Sequence, residues 1–202
     1  MQVCLPRRGR NGAKRDFESD FVRRRGAVSC KIANFDPYNR RHATPKEDFA
    51  MIKIARMVFN PIQENTYVVW DHTLEAAVID AGNSNDRENA ALRNFIEQHG
   101  LHPVLAANTH GHFDHTLGVE FLKRQYGIPF ALSSKDRFLL ENASVSGSVF
   151  GVPVGAMPTV DIDLETTPEL HFGQTTLRVI HTPGHTPGHV ALYEPRSKAL
   201  FT

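Results

Sequence analysis

Apolar residues along this chain change their spacing several times, and each change marks an element. Ile52, Ile54 and Met57-Val-Phe59 predict a first strand ended by Asn60-Pro61. Thr66-Tyr-Val-Val-Trp70 predicts a second, rich in β-branched and aromatic residues, and Ala76-Ala-Val-Ile79 a short, continuously apolar third. Asp80 follows at its end and reads as a turn or cap residue, with a carboxylate serving a site as the other reading. From about Asp86 to Gln98 the spacing becomes helical: Ser84 or Asn85 caps the helix, Ala91, Leu92, Phe95 and Ile96 form its buried stripe, and Gly100 stops it. Pro103 to Ala107 is a buried strand, a second helix starts near His115 to Leu117 and runs to about Tyr126, and Ile128 to Leu132 is a short strand. Ser134 caps a helix through Leu140, and Asn142 to Pro158, rich in Gly, Ser and small apolar residues, reads as a mobile loop near a site. Glu169 to Phe172, Thr176 to Ile180, His189 to Tyr193 and Ala199 to Phe201 complete the pattern as paired strands, and the whole is of the α/β class.

Between the fourth strand and the second helix stands Thr109-His-Gly-His-Phe-Asp-His-Thr-Leu-Gly118. His110, His112, Asp114 and His115 fall within six residues, a concentration that no ordinary demand of folding produces. Neutral imidazole and carboxylate are ligands for zinc, iron or manganese. Gly111 between the first two histidines lets the backbone turn tightly, so that side chains two apart converge on one ion. Downstream, His181-Thr-Pro-Gly-His-Thr-Pro-Gly-His189 spaces His181, His185 and His189 by four, but Pro183, Gly184, Pro187 and Gly188 forbid a helix. This segment is therefore a rigid loop able to carry one histidine to an ion held elsewhere. His171 reads as a strand residue, and His99 and His102 as solvated.

Together with Asn60-Pro-Ile-Gln-Glu-Asn-Thr-Tyr67 and Ile79-Asp-Ala-Gly82, these two segments resemble the metallo-β-lactamase superfamily, and most closely its glyoxalase II-like (hydroxyacylglutathione hydrolase-like) members, over about Ile52 to Thr202. The resemblance implies an αββα sandwich, incomplete here at its C-terminal end. It implies a first metal on His110, His112 and His185, a second on Asp114 and His115, and His189 as an outer partner. Such relatives continue past a strand like Leu200-Phe-Thr202 with Gly-Asp, whose aspartate bridges both metals, and with a late histidine; this chain stops before both. Two zinc ions serve a complete domain by that resemblance, with iron or manganese as other candidates. The implied activity is hydrolysis of a small thioester of the S-acylglutathione type by a metal-bound hydroxide that Asp114 orients as a catalytic residue. The alternatives are a mononuclear iron persulfide dioxygenase and an inactive metal-binding fragment.

Composition divides the chain. Residues 1–50 carry twelve Lys and Arg against six Asp and Glu, net +6, and residues 51–202 carry 11 against 16, net −5. The mildly acidic part has no electrostatic reason to bind nucleic acid. Cys4 and Cys30 both precede it, so no disulfide framework is indicated and a reducing cytoplasm is expected. No apolar run is long enough for a spanning helix, and no secretory signal opens the chain. Residues 1–50 read as a basic, mostly disordered extension, with Met51 as the expected true start of translation, before the domain at 51–202. Mass spectrometry of the native protein is then expected to yield no peptide from residues 1–50; finding them would overturn that start.

Overall fold

A computed structural model describes residues 30–34 and 51–202. Among these residues, strands β1 (Cys30–Asn34), β2 (Lys53–Phe59), β3 (Glu64–Trp70), β4 (Glu75–Ile79), β5 (His102–Ala107), β6 (Phe130–Leu132) and β7 (Ile162–Asp163) lie side by side in chain order in one sheet. The pairs from β1 to β4 are antiparallel and those from β4 to β7 parallel. Each parallel step needs a crossover: helix α1 (Asp86–Gln98) joins β4 to β5, and α2 (Val119–Tyr126) joins β5 to β6. A second, antiparallel sheet has the order β11 (Ala199–Phe201), β10 (Val190–Glu194), β9 (Thr175–His181), β8 (Glu169–Phe172). The expectation for residues 1–50 lies outside the described residues except at β1, an edge strand with Cys30 opposite Met57 and Asn34 opposite Lys53.

The period-2 alternation of the first sheet assigns its two faces. Ala55, Met57, Phe59, Val68, Trp70, Ala76, Val78 and Ala106 pack against the helices, with Leu92, Phe95 and Ile96 of α1 and Leu122 of α2. Their neighbours Ile54, Tyr67, Val69, Ala77, Ile79, Leu105 and Ala107 meet Leu170, Phe172, Leu177, Val190, Leu192 and Phe201 of the second sheet. Burial on both faces is why these strands read as continuous apolar runs. The outer face of the second sheet has no helix against it among the described residues, and Ile180 on it is 43% exposed. The layers present are thus helix, sheet and sheet, three of the four in an αββα sandwich. No helix among the described residues is long and apolar enough to cross a membrane.

Helix α1 has the expected bounds, with the Asn85 side chain accepting from the Glu88 N–H at its start and Gly100 in the left-handed region (φ 62°) after its end. Three expectations are corrected. After the histidine-rich loop the chain makes a 3-10 turn at Phe113–His115 and only then enters α2. The break sits at Gly118, whose N–H donates to the Ala81 carbonyl at 2.7 Å and where a Cβ would lie 1.8 Å from Asn83 Oδ1. The helix placed at 135–140 is split: Ser133, not Ser134, caps a 3-10 turn at Ser134–Asp136, and α3 follows at Arg137–Glu141. The stretch read as a loop contains helix α4 (Ala143–Val149), whose Ala143 packs with Phe113 and Val152 in a small cluster. Glycine and serine weaken a helix when it is isolated; here tertiary packing overrides propensity.

Two substitutions test the layer order. Phe201→Ala removes a fully buried ring seated edge-on against Tyr67 at 5.5 Å, and is expected to cost about 3–5 kcal/mol in urea unfolding. Ile180→Ala on the outer face is expected to cost under about 1 kcal/mol; equal losses would mean that this face is covered as well.

Candidate metal centre

The site forms where the strand ends of both sheets meet. Strand β4 ends at Asp80, in the left-handed region (φ 52°), and its carboxylate is buried. It accepts from Thr109 N–H at 2.8 Å and Thr109 Oγ1 at 2.9 Å, and lies 3.5 Å from His115 Nδ1. Of the two readings of Asp80, the supporting carboxylate is therefore the one that holds. Asn108, the residue after β5, donates its side-chain amide to the carbonyl of His115 at 2.9 Å and to Thr116 Oγ1 at 3.0 Å, folding the loop back on itself. Asn60 Nδ2 donates to the carbonyls of Gly82 and Asp114, both at 3.0 Å. In the second sheet, β9 and β10 carry the proline-rich loop between them, closed by Thr182 N–H donating to the His189 carbonyl at 2.9 Å. Val190 N–H donates to the Thr109 carbonyl at 2.8 Å and joins the two loops.

This framework brings His110, His112 and His185 together. One ring nitrogen from each lies within 4.8 Å of the others, and the ring centroids are 4.7–4.8 Å apart. His110 is buried and His185 exposed, so the cluster opens to solvent on one side. His110 Nε2 is a buried nitrogen without a hydrogen-bond partner. A buried polar atom left this way is costly unless an ion takes it. Burial first, then neighbouring histidines led by His115, hold the His110 imidazole far below its ordinary pKa, and burial with His185 lowers that of His112. Both are thus neutral near pH 7, the form that ligates. The donor set fits a divalent cation.

Asp114 and His115 face each other beside this trio, with Asp114 Oδ2 3.6 Å from His115 Nε2 and the His115 ring 4.2 Å from that of His110. Burial opposes charge on His115, but Asp80 and Asp114 outweigh it and raise its pKa. His189 stands outside the trio, its ring 5.4 Å from His110 and its Nδ1 2.8 Å from Thr182 Oγ1. His181 is exposed and 3.6 Å from Glu165, and His171 faces outward near Thr176.

Two carboxylates at the site escape a reading of the sequence. Glu64, at the start of β3, lies buried with Oε1 3.6 Å from His115 Nδ1, and Glu64, Asp80 and His115 form a second set of close donor atoms. Its signals are a charged residue opening a buried strand and a place within Asn60–Tyr67. Asp136 lies buried against Gly111, and this changes the role of that glycine. Gly111 does not adopt a positive φ; a Cβ there would stand 2.8 Å from both Asp136 Cβ and the Asp136 carbonyl. Close approach, not a tight turn, requires glycine at that position.

Comparison with known proteins gives the family. A family model described as the metallo-beta-lactamase superfamily matches residues 59–202. The hydroxyacylglutathione hydrolase GloC of Haemophilus influenzae is 32% identical over 150 residues, covering 69% of this chain and 65% of its own length. Among solved structures, the BLEG-1 B3 metallo-beta-lactamase is 34% identical with a TM-score of 0.62 over 71% of this chain and 67% of that one. TTHA1623, in a di-iron-bound form, is 31% identical with a TM-score of 0.60 over 69% and 66%. The chain spans less than two thirds of the length of the curated relatives that it matches, from 65% of the H. influenzae protein to 42% of a hydroxyacylglutathione hydrolase of Mesorhizobium japonicum.

The depressed pKa of His110 has a measurable consequence in metal-free buffer. The unfolded chain takes up a proton at this position below about pH 6.5 and the folded one does not, so this contribution to stability falls as the pH falls. His115 shifts in the opposite sense, and only the difference from a variant isolates His110. The stability of wild type minus that of His110→Gln is expected to decrease by about 1 kcal/mol between pH 6.5 and 5.5; a constant difference in urea titrations with EDTA would contradict it.

Proposed function

This chain belongs to the metallo-β-lactamase superfamily, and from that premise we propose that it is the metal-holding part of a hydrolase of small thioesters of the S-acylglutathione type. The observation that carries the reading is the trio of His110, His112 and His185, convergent, with His110 and His112 held neutral near pH 7 and with a buried nitrogen on His110 that lacks a partner. These three residues would hold one divalent ion, and Asp114 with His115 would contribute to a second. A bound ion supplies Lewis acidity, which makes water acidic near neutral pH and stabilises negative charge on a carbonyl oxygen.

The residues of the chain supply position and proton handling. Asp80 and the backbone it grips fix the His115 ring by its Nδ1 side, which leaves Nε2 facing Asp114. Asp114, half-buried, presents a carboxylate next to the trio, where it accepts a proton from an attacking water and orients it toward the substrate carbonyl. Support for a thioester comes from the likeness to the H. influenzae hydroxyacylglutathione hydrolase. Zinc is the proposed ion, and a cytoplasmic place agrees with a site that uses no cysteine. The likeness to a protein with bound di-iron keeps iron open as the ion; the second reading, a mononuclear iron persulfide dioxygenase, would show an iron signal and oxygen uptake in place of hydrolysis.

Metal content by plasma mass spectrometry, run beside hydrolysis of S-lactoylglutathione, tests the proposal. Wild type is expected to bind metal, and His185→Ala to lose that metal and with it, by about 100-fold or more, the hydrolysis that wild type shows. Metal binding without hydrolysis by wild type would make the chain a binding fragment only. Hydrolysis unchanged in His185→Ala would overturn the site.

A further inference from the structure

Asp136 is a fully buried carboxylate to which two separate loops donate. Its Oδ2 accepts from Gly111 N–H at 3.0 Å and from Thr186 Oγ1 at 2.6 Å, and its Oδ1 accepts from Gly188 N–H at 2.7 Å. Gly111 lies between His110 and His112, Thr186 directly follows His185, and Gly188 directly precedes His189. One side chain therefore grips both histidine loops next to the residues that form the trio.

The glycines indicate that this grip shapes both loops. A Cβ at Gly111 would stand 2.8 Å from Asp136 Cβ, and one at Gly188 would stand 2.8 Å from Asp136 Cγ and 2.6 Å from Ser133 Oγ. Neither glycine adopts a positive φ, so neither is required by backbone conformation. Each is where it is because the loop backbone comes into contact with Asp136. The carboxylate in turn is fixed from below by the 3-10 turn at Ser134–Asp136, which Ser133 caps and Asp163 Oδ1 ties down through Ser134 N–H at 2.9 Å. Charge-assisted hydrogen bonds to a fixed, buried acceptor are short and directional, which suits them to setting a distance between two loops.

We propose that Asp136 is the positioning residue of the metal centre, setting the separation between His110 and His112 on one loop and His185 on the other. The proposal rests on the reading of these three histidines as a metal site. Asp136 itself is not among the donor atoms of the trio. It acts through the backbone of Gly111 and Gly188 and the hydroxyl of Thr186, as outer partners of metal ligands do, and loss of such partners weakens metal binding by about 10- to 100-fold.

The test is titration of the metal-free protein with cobalt(II), read by its visible absorption and by competition with a chelator. Asp136→Asn keeps the shape but sets an amide N–H against an incoming N–H or O–H donor. It is expected to weaken cobalt binding by about 10- to 100-fold and to change the visible bands, which report ligand geometry. Thr186→Val removes one of the three donors while leaving the carboxylate, and is expected to show the same changes to a smaller degree; Thr186→Ser restores the hydroxyl and the affinity. A role confined to holding the fold would lower the unfolding midpoint of the metal-free protein but leave affinity and spectrum of the folded fraction unchanged, and that result would overturn the proposal. If Asp136→Asn fails to fold, the Thr186 pair decides by the same readouts. Wild type that binds no cobalt, with His185→Ala indistinguishable from it, would instead refute the metal site and the proposal with it.

Discussion

Several unprotonated imidazoles held close together with a buried nitrogen unsatisfied are unfavourable for a bare protein, and the fold has to hold them there before any ion arrives. His110 is that constraint, since its Nε2 is buried without a partner and its burial forbids the compensating charge. The loop around it is held in place by hydrogen bonds on either side. Thr109 bonds to Asp80, the Asn108 amide to the His115 carbonyl, and Gly111 to Asp136. Rigid neighbours of this kind keep a site preorganised, so that little is lost in ordering it when a ligand binds.

The sandwich explains why the site can have two sources. The first loop leaves the C-terminal end of β5 in a sheet buried on both faces, while the second spans β9 and β10 in the other sheet. Side chains from Ile54, Tyr67, Val69 and Leu105 on one sheet and from Phe172, Leu177, Leu192 and Phe201 on the other form one apolar layer. That layer fixes the sheets, and Val190 N–H to the Thr109 carbonyl carries the registration into the loops at 2.8 Å. Apolar burial therefore aligns the sheets coarsely, and directional bonds to a few buried carboxylates do the fine positioning.

What the sequence showed and what it hid divide along the same line. Elements governed by local pattern were legible: β2 to β5 by apolar runs, α1 by its stripe and its Asn85 cap, and the histidine residues by their density. Features fixed by contact across the chain were not. Helix α4 is poor in helix formers and exists because Ala143 and Gly147 fit against Val152 and Val154. The break before α2 follows from Asn83, 35 positions before Gly118, since a side chain at Gly118 would collide with it. Asp136 looked like an ordinary polar residue of a helix start, because its partners are 25, 50 and 52 residues away.

The pair Glu64 and Asp80 shows how far this principle reaches behind the ligands. Both carboxylates approach His115 Nδ1, at 3.6 and 3.5 Å, and both are nearly dry. Burial, and then repulsion from Asp80, raises the Glu64 pKa well above the carboxylate range, while Asp80 is anchored by donors from Thr109. Two buried carboxylates side by side disfavour charge, which is the direction of the Glu64 shift. Asp80 and Glu64 thus hold His115 from its Nδ1 side, with Thr66 Oγ1 2.9 Å from Glu64 Oε2. Gly82 completes the packing, for a Cβ there would meet Glu64 Oε2 at 2.1 Å and the Asp114 carbonyl at 2.7 Å. The same close fit that holds His115 therefore also fixes the backbone of Asp114, so these two neighbours of the trio are placed by one buried cluster.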